Sequence, residues 1–355
     1  MAGHVGKYAY INAKLRARLS TMLPEDFFDR MEGAFSLADA LTLLKDTPYS
    51  NLASVFDKTG DIKAVELELF ADEIALYGEI RRQSDETVAD MITAFELRYE
   101  VIVLKRALRL WFDRVVRERP IEENLSYLYR RPICYPIDID ALIAAGSISE
   151  ISSLLKKTPY HEIVETAGRE VEAKRTLFPL ETALDRFYFS RLLSVFEQLD
   201  RQDRDIASRL IGVQIDIENI NRLVRFKEAY RLPFEQILPD LIPHGHRLSN
   251  KIIETLVAAP DTGAQITQIL GADYPELSAM MTGTKASSPL PARLFLIERV
   301  LEEVLSIEIR RVLGGYPFTI GIVIAYFLLA QTESRRIRSI LNAKFYGRRQ
   351  RTGAV

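Results

Sequence analysis

The sequence is poor in the residues that carry chemistry on their own. Cys134 is its single cysteine, so neither an internal disulfide nor a multi-cysteine zinc cage can form. Of four histidines only His244 and His246 lie close together, and no further cysteine or histidine stands nearby in the chain to complete a metal site. The His244-Gly245-His246 stretch therefore reads as a solvated loop, with no metal expected. There is no G-x-x-x-x-G-K-S/T phosphate loop, and Gly314-Gly315-Tyr316-Pro317 has neither the lysine nor the hydroxyl, which excludes nucleotide hydrolysis by that route. Neither sign of charge is in excess: 47 lysines and arginines face 49 acids, for a net charge of -2, so no bulk attraction to nucleic acid is expected. Long apolar runs are missing too. The most apolar stretch, Ile320 to Ala330, is 11 residues, against roughly 20 for a membrane-spanning helix. The start, Met1 to Lys7, leads into a mixed polar and apolar segment without the pattern of a signal peptide, so a cytoplasmic protein that meets a membrane only peripherally is expected. Strand signals are scarce, whereas Val65 to Arg82 and Glu86 to Arg117 carry helical spacing; the expected class is all-α.

What the chain does have is internal repetition. The segment Ser36 to Tyr49 aligns with Ser147 to Tyr160 at an offset of 111 residues, with identity in Leu-Leu-Lys-x-Thr-Pro-Tyr. Each copy opens with a serine followed three residues later by an acid, a capping-box pattern, and ends at a proline that stops the helix. An eroded third copy begins at Thr262 and runs to Asp273-Tyr274-Pro275. A second signature recurs three times: an acid, then an aliphatic at +4, a polar or basic residue at +5 and an aliphatic at +8. Its copies begin at Glu100, Asp216 and Glu333. Acids four apart precede each copy, as Glu68 with Asp72, Glu181 with Asp185, and Glu298 with Glu302. Because a catalytic carboxylate pair is needed once, three equivalent pairs point to ion pairs and helix-end charge and away from general acid-base work. Proline clusters at Pro120, Pro132 and Pro136, and again at Pro233, Pro239 and Pro243, place the repeats at 1-120, 121-235 and 236-355.

The apolar stripe at +4 and +8 of each signature helix is expected to face the core of its own repeat. The opposite face carries Lys105 and Arg109 in the first repeat, Asn221 and Arg225 in the second, and Arg338 and Asn342 in the third. If these faces converge they present donors suited to acidic side chains or to the carbonyl end of a helix, and they are the candidate partner-binding residues. The bland reading is that all six are solvated surface. Cys134 reads as a packed thiol, and Tyr99, Trp111 and Phe112 as core.

Several stretches together resemble a known family. Tyr8-Ala9-Tyr10-Ile11-Asn12-Ala13-Lys14-Leu15-Arg16 is similar to the N-terminal helix of the C subunit of archaeal and bacterial V/A-type rotary ATPases, a relative of the d subunit of eukaryotic V-ATPases. Asp216-Ile217-Glu218-Asn219-Ile220 resembles its acid-x-x-Asn element, and Gly321 to Tyr326 with Glu333, Ile337 and Phe345-Tyr346-Gly347 its closing helix. The chain departs from the family at Leu328 to Thr332, at Val103 and Arg336, which occupy the asparagine position, and at Lys14, which replaces an arginine. The resemblance implies a pseudo-threefold funnel of three helical repeats, without catalytic residues or cofactor. It implies a seat on the membrane rotor ring, the tip of the central shaft, built of D and F type subunits, in the cavity, and transmission of torque for proton or sodium transport. No nucleic acid or small-molecule substrate is expected, and the isolated chain is expected to be a monomer. A helical-repeat scaffold for soluble partners explains the triplication but not the matches at both ends; an unrecognised enzyme would need convergent polar groups in one repeat only.

Overall fold

A computed structural model of the protein describes residues 2–226, 234–238, 241–259, 265 and 290–352. Thr262, Asp273-Tyr274-Pro275 and the side chain of Glu298 lie outside the described residues, and with them most of the third repeat's leading segment. Among the described residues there are helices and no strands, so the chain is all-α. The first third runs α1 (Ala2–Leu19), α2 (Glu25–Gly33), α3 (Leu37–Leu43), α4 (Ser50–Thr59), α5 (Ile62–Arg81) and α6 (Glu86–Val115). Next come α7 (Glu122–Leu125), α8 (Ile139–Ala144), α9 (Ile148–Leu154), α10 (Tyr160–Lys174), α11 (Phe178–Phe196) and α12 (Arg201–Arg225). The described remainder comprises α13 (Phe234–Ile237), α14 (Asn250–Ala258), α15 (Leu290–Leu313) and α16 (Gly321–Thr352).

The repeated sequence makes repeated local structure. Ser36 caps α3 in a closed capping box with Asp39. Ser147 caps α9 by accepting from the Glu150 amide, while the Glu150 carboxylate reaches one residue further back, to the Gly146 N–H at 2.7 Å. After each helix the threonine of Thr-Pro-Tyr folds back. Thr47 Oγ1 donates to the Leu44 carbonyl at 2.7 Å and Thr158 Oγ1 to that of Leu155 at 2.8 Å, and each hydroxyl accepts the amide of the tyrosine two residues on. The shared Leu-Leu-Lys-x-Thr-Pro-Tyr is thus a hydroxyl-latched turn in which the proline, lacking an N–H, leaves no orphaned donor. The long helices α6 and α12 start on aspartates: Asp85 Oδ1 takes the Val88 amide and Asp200 Oδ1 that of Asp203.

The chain falls into two compact units, one of residues 9–195 with 326–355 and one of residues 1–8 with 196–325. In the first, α2 to α5 are mostly short, and alone none buries much apolar surface. Their Phe28, Met31, Leu41, Leu52 and Leu69 form one core with Ile337, Ile340 and Leu341 of α16. The stripe of the third signature helix therefore does not face a core of its own repeat, as the sequence suggested; it closes the core begun by residues 27–69. Three short helices and the start of α5 leave this core incomplete on their own, and α16, 32 residues long, supplies the remaining side chains. Nearby, Tyr77 stacks on Phe327 with centroids 4.0 Å apart, and Trp111 is fully buried with its Nε1–H on the Ala145 carbonyl at 3.0 Å. In the second unit α12 packs along α15, and Gly321 starts α16 against Ile206 and Val312 so closely that a Cβ would stand 2.5 Å from Val312 Cγ1.

Two outcomes are expected. Ser36→Ala and Ser147→Ala should each cost about 1 kcal/mol, as lost caps do, and by similar amounts in urea unfolding. Ile337→Ala, at the far end of the sequence, should destabilise the core of residues 27–69 by about 3 kcal/mol, read as faster amide exchange in α3 and α4; unchanged exchange there would contradict the shared core.

Candidate functional site

The three signature acids are buried, and each carboxylate accepts backbone amides from a proline-flanked loop. Glu100 Oε2 takes the Cys134 and Tyr135 N–H groups, both at 2.7 Å, and its Oε1 the Tyr160 hydroxyl at 2.8 Å. Asp216 takes the Arg247 amide at 2.7 Å and the Leu248 amide at 3.3 Å. Glu333 Oε1 takes the Leu23 amide at 2.7 Å, and the Tyr49 hydroxyl acts on the same carboxyl electrostatically. The loop residues Leu23, Cys134 and Arg247 stand 111 and 113 positions apart, the spacing of the repeats themselves. Each acid thus holds the segment that opens the following repeat, and the third returns to the first. The tyrosines of Thr-Pro-Tyr, Tyr49 and Tyr160, complete two of these clusters. At the acid-x-x-Asn position, Asn219 adds a two-way bond to the Ile242 backbone, 2.8 Å in each direction. Arg336, its counterpart, pairs with Glu25 at 2.6 Å, while Val103 is simply packed.

Burial dominates the electrostatics of these groups. It pushes the carboxyls of Glu100 and Glu333 above the usual range in spite of their hydrogen bonds, and that of Asp216 from 3.8 to about 6. Of His244-Gly245-His246, His244 is exposed as a solvated loop would have it, whereas the rest joins the Asp216 cluster: the His246 amide bonds the Gly212 carbonyl, and Gly245 lies so near that a Cβ there would stand 2.1 Å from Asp216 Oδ1. Glycine is what lets the loop backbone reach the carboxylate. Burial also raises the Cys134 thiol well above its ordinary value, which suits a packed cysteine.

Of the six positions on the opposite faces of the signature helices, four are engaged within the first compact unit. Lys105 Nζ holds both Asp185 oxygens at 2.9 Å and Arg109 Nε holds Glu181 at 2.5 Å. Arg338 stands 3.7 Å from Glu73, and Asn342 donates to Glu66. The first and third signature helices therefore use the same two positions, +5 and +9, to grip acids of the next repeat. By partner, the counterpart of Glu181 is Glu66; Glu68 and Asp72, the pair that the spacing suggests, instead hold the Asn51 amide. Asn221 is half-buried with an unpartnered Oδ1, and the Arg225 side chain lies outside the described residues. Arg109, Arg338 and Asn342 line a cleft of about 380 Å³ together with Lys63, Glu66 and Arg106. A second cavity, of about 390 Å³, is lined by Asp72, Glu73 and Glu333 with Tyr49, Tyr77 and Tyr99. Gln331, where the chain departs from the family pattern, ties this region together by donating to the Tyr77 hydroxyl at 2.7 Å and accepting from Arg98 at 3.1 Å.

One cluster in the second unit has metal-ligand character: His4, Asp200 and Asp203, with donor atoms within 4.8 Å of one another. Protein groups already contact each member. Asp203 accepts the Tyr8 hydroxyl and the Ile320 amide, His4 Nε2 bridges to Asp200 at 3.0 Å, and the Lys7 ammonium stands 4.0 Å from Asp203.

Comparison with known proteins covers nearly the whole chain. Residues 11–354 match the family described as ATP synthase (C/AC39) subunit. The C subunit of the A-type ATP synthase of Methanothermobacter thermautotrophicus is 25% identical over 337 residues, covering 95% of this chain and 84% of that protein. The proteins of the same name from Methanocaldococcus jannaschii and Thermococcus onnurineus are 22% and 25% identical, covering 95% and 94% of this chain and 82% and 85% of theirs.

The raised Asp216 carboxyl fixes a sign. Its folded-state pKa of about 6 exceeds the usual 3.8, so the native state binds the proton more tightly. The stability it contributes is full below about pH 4, is lost as pH rises to about 6, and amounts to roughly 3 kcal/mol. Glu100 and Glu333 act in the same direction. Unfolding free energies measured from pH 4 to 7 should therefore fall in the wild type and fall less in Asp216→Asn; coincident slopes would show that Asp216 does not titrate in this window.

Proposed function

Because the chain belongs to the ATP synthase (C/AC39) subunit family, we propose that it is the non-catalytic C-type subunit of an A-type ATP synthase. In that role it links the rotating central shaft to the membrane rotor ring and passes torque between them. The observation that carries this reading is the extent of the match: residues 11–354, and relatives named as the C subunit that the chain covers over more than four-fifths of their length. Physical features agree with it. A coupling element has to resist deformation, and backbone loops clamped by buried carboxylates are stiff joints. No described helix is long and apolar enough to cross a membrane, which suits a subunit held at the membrane by protein contacts.

The partners in this reading are the shaft subunits and the ring subunits, and the funnel of three repeats implied by the sequence would be the seat. Lys105, Arg109, Asn221, Arg225, Arg338 and Asn342 are the proposed partner-facing positions. Lys105 and Arg109 already carry acidic partners, so a partner's acid would engage them by exchange or by joining the pair, and charge there would govern rate and register more than affinity.

Affinity purification of the tagged chain from native membranes should bring down shaft and ring subunits, identified by mass spectrometry. Membranes lacking the chain should keep ATP hydrolysis by the released motor and lose ATP-driven ion uptake. Recovery of soluble partners alone would favour the scaffold reading. Steady ATP turnover by the pure chain, abolished by one point change in it, would refute a non-catalytic role.

A further inference from the structure

The cleft beside α5, α6 and α16 carries more positive charge than its acids neutralise. Lys63, Arg106, Arg109 and Arg338 line it, against a single lining acid, Glu66. Two of the cations are matched from outside, Arg109 by Glu181 and Arg338 more loosely by Glu73. Glu66 accepts the Asn342 amide, which leaves its negative charge in place. Lys63 and Arg106, the two cations without an ion pair, share that one acid. Each lies over an aromatic face, Lys63 Nζ 4.7 Å from the Tyr127 ring centroid and the Arg106 guanidinium 5.3 Å from that of Phe70. A ring face orients a cation without neutralising it, and neither group has an ion-pair partner among the described residues. The nitrogen Nε of Arg338 is buried in the same wall with no hydrogen-bond acceptor. The Arg106 guanidinium has its pKa lowered first by burial and then by the field of Arg338; Glu66 raises it in part and Arg109 lowers it further. A half-buried arginine left facing two others is a site whose electrostatics an anion would relieve.

The chemistry of the missing partner follows from the count. Four cations against three acids leave the cleft net positive, and its two unpaired cations call for a compact anion with an acceptor oxygen for each. A single carboxylate brings one charge and lone pairs in one plane; a phosphoryl group brings close to two charges and three oxygens on a tetrahedron. A volume of about 380 Å³ accommodates phosphate or diphosphate with water. We propose that this cleft binds a small phosphate-class oxyanion between Lys63 and Arg106. The site does not depend on the coupling role, because its receiving residues, Lys63 and Arg106, are not among the partner-facing positions.

Isothermal titration of the purified full chain with sodium phosphate and with diphosphate tests this, at ionic strength held constant with sodium chloride, with succinate as the dicarboxylate probe. Diphosphate should bind one to one and at least about tenfold more tightly than succinate. Arg106→Gln and Lys63→Gln should each weaken it by about tenfold or more, the loss of one charge-assisted contact. Lys174→Gln, an exposed lysine paired with Glu170 away from the cleft, should leave it unchanged. Circular dichroism checks the fold of each variant, and Lys63→Gln decides the matter if Arg106→Gln does not fold. Absence of saturable heat with both phosphates, or undiminished affinity in folded Lys63→Gln, overturns the proposal. Succinate binding as tightly as diphosphate also overturns it and assigns the cleft to carboxylates of a protein partner.

Discussion

The interaction on which the rest of the structure depends is a buried carboxylate accepting the amides of a loop it does not belong to. Glu100, Asp216 and Glu333 each sit inside a long helix, nearly sealed from water, and each satisfies backbone N–H groups that a proline-flanked loop cannot satisfy itself. Such a loop has no regular partner for its donors, and leaving them unmet in the interior costs about 1–3 kcal/mol apiece. Desolvating the carboxylate also costs energy, as the raised pKa values record. Charge-assisted bonds from the loop offset that cost, and they do so only with the loop in one position. The arrangement therefore specifies where each loop lies more than it adds stability.

A second consequence concerns the chain ends. Glu333 reaches back to Leu23, Arg336 to Glu25 and Lys344 to the Ala34 carbonyl at 2.6 Å. With Ile337, Ile340 and Leu341 in the core of residues 27–69, the closing helix is the missing wall of the opening repeat. In this case the packed module consists of the last repeat's final helix and the first repeat's beginning. The repeat boundary drawn at proline clusters and the boundary drawn by packing are different objects, because turn residues mark where the chain bends and apolar stripes mark what it bends onto.

Much of this is legible in the sequence, and the part that is not has a physical explanation. The capping serines, the proline stops, the all-helical class and the buried Trp111 follow from local rules, since each depends on residues within a few positions. The acids at Glu100, Asp216 and Glu333 are visible as a recurring element, but their role is not: their partners are backbone amides 31 to 35 residues downstream in two cases and at the opposite end of the chain in the third. Backbone amides leave no trace in residue identity. Glycine is the one available hint, because Gly245 is small at the point where Asp216 must approach, yet a single glycine between two histidines reads as an ordinary loop. The acid pairs four apart show the opposite failure, in which the pattern is real and one register is misplaced: Glu66, two residues from Glu68, is the residue that answers Glu181.

The polar faces of the signature helices supply the other half of each joint. Positions +5 and +9 look, in the sequence, like a surface waiting for a partner, and in the first and third helices they already grip acids of the following repeat. At those two helices the repeats are joined twice, once by a buried carboxylate and once by half-exposed pairs at +5 and +9. Such pairs in partial contact with water contribute little energy, about 0–1 kcal/mol each, so their value lies in orientation. What is left over after those pairs are formed is the informative part of the charge. Arg106 and Lys63 fit neither the stripe, the acid nor the gripping positions, and no repeat of the motif predicts them. A charge that the fold does not use, half-buried and held over a ring, is the kind of feature that internal symmetry cannot explain and that a ligand can.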